Sequence, residues 1–148
     1  MANWTLFSPL KVRLMNDGIP LLGKEIVQKV SWNGIEFTYT ARTNFDGEVS
    51  LPDVSVSSFF RRSGRRSTPH QIISTMVNGR NYILWDMIKP DLKWNSELQG
   101  DELDLLCDLN HSIKTIPSGS AVVKTRCTKR LETTPVAPKA RVTSIKVA

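Results

Sequence analysis

The dipeptide Asn33-Gly34 constrains the fold of this chain more than any other feature. A two-residue type I′ turn needs positive φ at both central positions, and Asn-Gly adopts that conformation with little strain. The turn would pair residues of like polarity: Trp32 with Ile35, Val30 with Phe37, Gln28 with Tyr39 and Ile26 with Ala41 on a largely apolar face, and Lys29 with Thr38 and Ser31 with Glu36 on a polar face. Because a slip by one residue would turn the apolar set into water, turn and pattern predict the same antiparallel hairpin.

Asn78-Gly79 predicts a second hairpin of the same kind, which joins residues 71–77 to residues 80–87. In the equivalent register Ile73 faces Leu84, and Thr75 faces Tyr82. Further strands are predicted where apolar and β-branched residues alternate or cluster, at 10–15, 48–51, 103–109, 121–127 and 142–147. One helical turn fits within 85–92, but no segment shows a sustained period of 3.6 residues.

This succession of short strands, without alternation of strands and helices, predicts an all-β fold. We expect an antiparallel β-sandwich of about seven strands, in which two sheets bury their facing apolar sides. The residues expected in its core are Val30, Phe37, Tyr39, Leu84 and Leu105.

The net charge of +6 is concentrated at the C-terminal end of the chain. Residues 1–118 carry 13 Lys and Arg against 13 Asp and Glu, whereas residues 119–148 carry 7 against 1. A length of 148 residues suits one domain with a tail. We therefore expect a β-sandwich domain over 1–118 and a basic extension over 119–148, with one or two further strands around a proline-containing linker.

Neither a secretion signal nor a membrane span is visible in the sequence. The first eighteen residues lack the apolar core of a signal peptide, and charges or prolines interrupt every apolar segment. The expected location is the cytoplasm, with no membrane partner. Cys107 and Cys127 are then expected as free thiols, and a disulfide is the alternative for an exported protein.

The sequence carries no pattern typical of a catalytic or metal site. His70 and His111 follow turn residues and belong to no triad or zinc signature, so solvated loop positions are expected. Cys107 alternates with leucines, as a buried strand residue does. The acidic residues around 101–108 lack the loop that gathers calcium ligands. We expect neither enzymatic activity, nor a metal, nor a cofactor.

Two segments resemble a known family. Residues 18–23 read Gly-Ile-Pro-Leu-Leu-Gly and residues 43–52 read Thr-Asn-Phe-Asp-Gly-Glu-Val-Ser-Leu-Pro, which resembles the G-x-P-x-x-G and T-x-x-x-G-x-x-x-x-P patterns of carboxypeptidase-regulatory-like, or transthyretin-like, domains. Residues 82–85, 94–98 and 106–109 are similar to short bacterial proteins that carry this domain. The resemblance covers about 7–110 and implies a sandwich fold. Such relatives are often encoded near type VI secretion components and toxins, which implies an immunity or adaptor role.

Two groups of residues are candidates for binding a partner. Arginine and aromatic side chains are enriched at interface hot spots, and they occur together in one loop: Phe59, Phe60, Arg61, Arg62, Arg65 and Arg66. The tail adds a second basic group that could steer an acidic partner: Lys124, Arg126, Lys129, Arg130, Lys139, Arg141 and Lys146. A solvated loop and a merely soluble tail are the alternatives.

The leading hypothesis is a cytoplasmic immunity protein that occludes a cognate toxin or effector with an acidic surface. The first alternative is a structural adaptor that docks an effector onto a secretion spike. The second alternative is a nucleic-acid-binding protein, although residues 1–118 are neutral overall and no nucleic-acid-binding motif is present.

Overall fold

The computed structural model of the chain describes residues 3–57 and 68–129, which form thirteen β-strands and no helix. The all-β fold class is confirmed, with more strands than the seven or so expected. The strands are β1 (Asn3–Phe7), β2 (Leu10–Asn16), β3 (Ile19–Pro20), β4 (Glu25–Trp32), β5 (Ile35–Arg42), β6 (Glu48–Leu51), β7 (Val54–Ser57), β8 (His70–Val77), β9 (Arg80–Ile88), β10 (Leu103–Asp108), β11 (Lys114–Ser118), β12 (Ala121–Thr125) and β13 (Cys127–Lys129).

The strands form three sheets. A six-stranded antiparallel sheet has the order β11-β12-β9-β8-β4-β5. A five-stranded sheet has the order β13-β10-β2-β3, with β6 also paired to β2, and β1 pairs with β7 in a small third sheet. The expectation of purely antiparallel pairing is wrong at one place, because β10 runs parallel to β2. Parallel neighbours need a long connection, and here the whole chain from β3 to β9 supplies it.

The first predicted hairpin is confirmed residue by residue in the pairing of β4 with β5. In the second hairpin Thr75 faces Tyr82 as predicted, but Ile73 faces Trp85 rather than Leu84. The pairing shifts between Ile73 and Ser74. Because such a bulge adds one residue to β9, Leu84 and Trp85 are both buried although they are neighbours in sequence. The helical turn considered within 85–92 is wrong, because β9 continues to Ile88 and residues 89–92 are not helical.

The core is one continuous cluster to which both large sheets contribute. Val30, Leu84 and Leu105 are buried in it as predicted. Phe37 is only half-buried, and the Tyr39 side chain is 45% exposed, so the core position predicted for Tyr39 is wrong. Both residues lie on β5, the edge strand of the six-stranded sheet. An edge strand has a neighbour on one side only, and this leaves its side chains less covered.

Residues 119–129 take part in both large sheets. β12 pairs with β9 and β11, and after Arg126 the chain enters the other sheet, where β13 pairs with β10. In that register Cys107 and Cys127 are directly opposite, with their Cα atoms 4.0 Å apart, and they form a disulfide. The expectation of free thiols is therefore wrong. Two cysteines 20 residues apart give no sign in the sequence that their strands will pair.

Candidate functional site

Most of the residues predicted to bind a partner lie outside the described part of the chain. This applies to Phe59, Phe60, Arg61, Arg62, Arg65 and Arg66 in the loop, and to Arg130, Lys139, Arg141 and Lys146 in the tail. The predicted binding residues within the described part of the chain are Lys124, Arg126 and Lys129. The strand predicted at 142–147 also lies outside the described residues.

The three described basic residues do not converge on one surface. Lys124 faces Asp86 across β12 and β9. The guanidinium of Arg126 donates hydrogen bonds to the carbonyl oxygens of Ile83 and His111, at 3.1 and 2.8 Å. Lys129, on the other sheet, forms an ion pair with Asp101. Arg126 therefore stabilises the crossing between the sheets, and Lys124, Arg126 and Lys129 do not form one basic patch for an acidic partner.

The structure instead presents two clefts that share Trp94. The first encloses about 710 Å³ and is lined by Trp4 and Thr5, by Asp53 and Ser55, by Thr68, and by the segment from Pro90 to Trp94. The second encloses about 500 Å³ between 9–11, 50–52 and 102–104. Trp94 lines both clefts and is 56% exposed. We call these two clefts, with Trp94 between them, the Trp94 site.

The lining of the first cleft combines apolar and charged side chains. Trp4 and Leu92 are half-buried and pack against the core. The ring of Trp4 meets that of Trp32 edge to face, with the ring centroids 5.6 Å apart, so Trp4 is fixed in place. Asp53 and Lys93 also line the cleft and are exposed. Protein–protein interfaces likewise combine apolar residues with polar and charged ones.

Trp94 lies in the loop between β9 and β10, and Lys89 holds the first part of this loop by hydrogen bonds. This lysine is fully buried, and its ammonium group donates to the carbonyl oxygens of Asp91 and Lys93 and, at 2.7 Å, to the hydroxyl oxygen of Ser96. Burial lowers the pKa of Lys89, while the nearby carboxylates of Glu97 and Asp91 act in the opposite direction. Three oxygen ligands replace the water that a charged group loses on burial.

Asp91 belongs to the same cluster. Burial alone would raise the pKa of its carboxyl group, but hydrogen bonds from the Lys93 N–H and from Ser96, together with the charges of Lys89 and Lys93, bring that pKa below its usual value. The Lys93 N–H lies 2.8 Å from Asp91 Oδ1. The first half of the loop is thus shaped by interactions among its own charged residues.

The second half of the loop is held by Glu97, which is also fully buried. Its carboxylate accepts hydrogen bonds from the Ser8 N–H at 2.8 Å, from the Ser8 hydroxyl at 2.7 Å and from the Gln71 side chain at 2.8 Å. Gln71 in turn accepts a hydrogen bond from the Trp85 indole N–H, and the Ser8 hydroxyl oxygen accepts one from the Asn95 N–H. This network connects the loop to β8, β9 and the link between β1 and β2.

The residues of the Trp94 site are not among those predicted from the sequence to bind a partner. Charged loop residues such as Lys89 and Glu97 are normally solvated, and only the fold shows that both are buried. One feature of the sequence could have indicated the site. Trp94 is a large aromatic residue among the polar residues Lys93, Asn95 and Ser96, outside any predicted strand.

A third cleft of about 490 Å³ lies over β8, β9 and β12. It contains His70, whose Nε2 is 2.7 Å from Asp86 Oδ1, and the two side chains are 44% and 39% exposed. His70 is the first residue of β8, so the loop position expected for it is wrong. His111 is exposed in the turn that follows β10. An exposed pair of this kind contributes at most about 1 kcal/mol to stability.

Within 3–57 and 68–129, no group of three or more His, Cys, Asp and Glu residues lies close enough together to hold a metal ion. No helix in this part of the chain is long and apolar enough to cross a membrane.

Comparison with curated proteins and with solved structures finds no match to this chain. A family model does match it, over residues 10–112. The matched range contains Lys89, Trp94 and Glu97, whereas Trp4 and Cys127 lie outside it. This chain therefore belongs to the family described as a domain of unknown function, DUF6795.

Proposed function

We propose that this chain is a non-enzymatic protein-binding domain and that the Trp94 site is its contact surface. The observation that carries the proposal is an exposed Trp94 between two clefts, on a loop held by two fully buried charged residues. Tryptophan is among the residues most enriched at interface hot spots. A loop that is already ordered before binding loses less conformational entropy in the complex, and this favours affinity.

We further propose that the fold is a carboxypeptidase-regulatory-like sandwich. Two observations support this. The two large sheets contribute to one core, as the layers of a sandwich do. The turn before β6, which is part of the resemblance, closes through a hydrogen bond from the Gly47 N–H to the Asn44 carbonyl, and a Cβ atom at Gly47 would lie 2.4 Å from the Leu14 carbonyl oxygen. Only glycine fits at this position.

The partner we propose is a cognate toxin, which this domain neutralises by occlusion. An apolar side chain of the toxin would enter the first cleft between Trp4 and Trp94, and charged groups around it would meet Asp53 and Lys93. The alternative occupant is an effector that the domain docks onto a secretion spike. The nucleic-acid alternative has little support among the described residues, because Lys124, Arg126 and Lys129 point to separate places.

The disulfide bears on where this binding takes place. Disulfides persist in oxidising compartments and are rare in the cytoplasm, where thiol reductants keep cysteines reduced. The bond between Cys107 and Cys127 therefore favours an oxidising compartment over the cytoplasm expected from the sequence. A toxin met in the periplasm is the corresponding target.

Co-expression tests the immunity proposal. A toxin encoded beside this chain would be produced in a sensitive host with the wild-type domain, with Trp94→Ala or with Phe45→Ala, all directed to the compartment in which the toxin acts. Phe45 is a matched control because it is an aromatic residue, 83% exposed, that lines neither cleft of the Trp94 site.

We expect growth with the wild type and with Phe45→Ala, and death with Trp94→Ala. Growth with all three chains would show that protection does not depend on the Trp94 site. Death with all three, without a complex in gel filtration, would contradict the immunity role and leave the adaptor as the alternative.

A further inference from the structure

β5 is an edge strand with neither a proline nor a bulge to hinder pairing with another strand. It forms one end of the six-stranded sheet and pairs over its whole eight-residue length with β4, without a register shift. The opposite edge of the sheet, β11, contains Pro117, which cannot donate a backbone hydrogen bond. Natural edges are commonly blocked by proline, by a bulge or by inward-pointing charges. Between Ile35 and Arg42, β5 has neither a proline nor a bulge.

The hairpin geometry shows which backbone groups β5 directs outward. In a two-residue hairpin the residues that flank the turn, here Trp32 and Ile35, form a hydrogen-bonded pair. Hydrogen-bonded and non-hydrogen-bonded pairs alternate along antiparallel strands. The N–H and C=O groups that point away from β4 therefore belong to four alternate residues: Glu36, Thr38, Thr40 and Arg42. All four are exposed.

We propose that β5 is a homodimerisation edge, which pairs in antiparallel fashion with β5 of a second copy around a two-fold axis at Tyr39. In this register Thr38 faces Thr40 of the second copy, and Glu36 faces Arg42 of the second copy, twice by symmetry. Every residue in these pairs belongs to the outward-directed set, so the backbone hydrogen bonds can all form. The two six-stranded sheets then become one continuous sheet.

The charges along β5 support a second copy of this chain as the pairing partner. Opposite charges that face each other across strands stabilise the pairing, and like charges destabilise it. In the self-paired register Glu36 and Arg42 each face a residue of opposite charge on the second copy. Arg42 already donates from Nη1 to the Gly23 carbonyl at 2.9 Å, and its guanidinium group has further donors for Glu36 of the second copy.

The inner face of β5 gains cover in the same arrangement. Tyr39, which is 45% exposed, faces Tyr39 of the second copy, and the half-buried Phe37 faces Ala41 of the second copy. Contact along a single strand buries less area than the roughly 1,200 Å² at which stable interfaces begin, so we expect micromolar affinity. No residue of β5 lines the Trp94 site, and the proposal is independent of the proposed function.

Sedimentation velocity of the oxidised full chain, from about 1 to about 500 μM, tests the dimer. We expect a concentration-dependent shift from monomer to dimer for the wild type. Glu36→Arg and Arg42→Glu should each weaken dimerisation at least about tenfold, because each places like charges opposite each other. The double variant with both substitutions restores opposite charges in every pair and should return to within about threefold of the wild-type constant.

A backbone variant supplies a second test. Thr38→Pro removes an outward-directed N–H without touching the hydrogen bonds to β4, and it should abolish the dimer while Thr38→Ala retains it. Circular dichroism checks that each variant is folded. A wild-type chain that stays monomeric up to the highest concentration would overturn the proposal. So would a dimer that survives Thr38→Pro, or a double variant no better than the single ones, because the contact would then lie elsewhere.

Discussion

Lys89 Nζ lies 2.7 Å from Ser96 Oγ, although the Lys89 side chain has no exposed surface. The same ammonium group also binds two carbonyl oxygens of the intervening loop. The ammonium group of Lys89 thus holds residues on both sides of Trp94 by hydrogen bonds. A buried charge is maintained only where its partners compensate for lost hydration, so the loop conformation and the charge depend on each other.

Lys89→Met should loosen this loop. Methionine has a similar length but cannot donate hydrogen bonds, so the carbonyl oxygens of Asp91 and Lys93 lose a buried partner. We expect amide hydrogen exchange in 90–97 to become at least about tenfold faster. Lys29→Met is the control, because the Lys29 side chain is exposed on β4, outside the loop. Equal exchange rates in the two variants would show that Lys89 does not hold the loop.

Glu97→Gln should lower global stability. The carboxylate accepts three hydrogen bonds from Ser8 and Gln71, and an amide would direct N–H groups toward some of these donors. We expect the free energy of unfolding in urea to fall by about 1–3 kcal/mol. Glu102→Gln, at an exposed position, should change it by less than about 0.5 kcal/mol. Similar losses in both variants would argue against a structural role for the Glu97 network.

Asp108 should make stability depend on pH in the acid range. Burial raises the pKa of its carboxyl group, but backbone N–H donors of Asn110, Asp17 and Gly18 outweigh this and lower the pKa. A lowered folded-state pKa gives stability that is complete above the unfolded value of about 3.9 and is lost as the pH falls through the folded value. Asp108→Asn should therefore destabilise the protein at pH 7 by about 1.5–3 kcal/mol.

The difference between wild type and Asp108→Asn should shrink as the pH falls below about 4, because protonation of the wild-type carboxyl group removes the same charge. Unfolding curves at several pH values measure this difference. Asp46→Asn, at an exposed turn position, is the control and should show no such convergence. A difference for Asp108→Asn that is constant from pH 7 to pH 2 would contradict the assignment.

The disulfide between Cys107 and Cys127 should be present in protein purified without reductant, and thiol titration of the denatured chain should then count no free thiols. The bond closes a loop of about 20 residues and should contribute about 3 kcal/mol to stability. Replacement of both cysteines by serine should therefore lower the midpoint of urea unfolding. Two titratable thiols in protein from an oxidising compartment would show that the pair does not form.

Turn residues and side-chain alternation predicted the parts of the fold that depend on neighbouring residues in the chain. The Asn33-Gly34 turn fixed the whole register of β4 and β5, because turn geometry and side-chain alternation agree there. The Asn78-Gly79 hairpin was predicted up to the bulge beside Ile73 and no further. A bulge is selected by tertiary packing, here the burial of both Leu84 and Trp85, and no turn signal marks it.

The Trp94 site was not predictable in the same way. It depends on contacts between residues far apart in the chain, such as Glu97 with Ser8, which are 89 positions apart. The parallel pairing of β10 with β2 and the alignment of Cys107 with Cys127 are likewise products of the whole topology. Basic residues were predicted to bind a partner because the sequence gives their charge directly. The burial of Lys89 follows only from the three-dimensional fold.

The affinity of Trp94→Ala for a bound partner tests the central claim most directly. The partner segment is selected from a display library of gene fragments of the organism that encodes this chain, with the oxidised wild-type protein as bait. Calorimetry then measures the dissociation constant of the selected segment. We expect Trp94→Ala to weaken binding by at least about 2 kcal/mol, as for an interface hot spot, and Phe45→Ala to change it by less than about 0.5 kcal/mol. If the partner binds Trp94→Ala as tightly as it binds the wild type, the Trp94 site is not the contact surface.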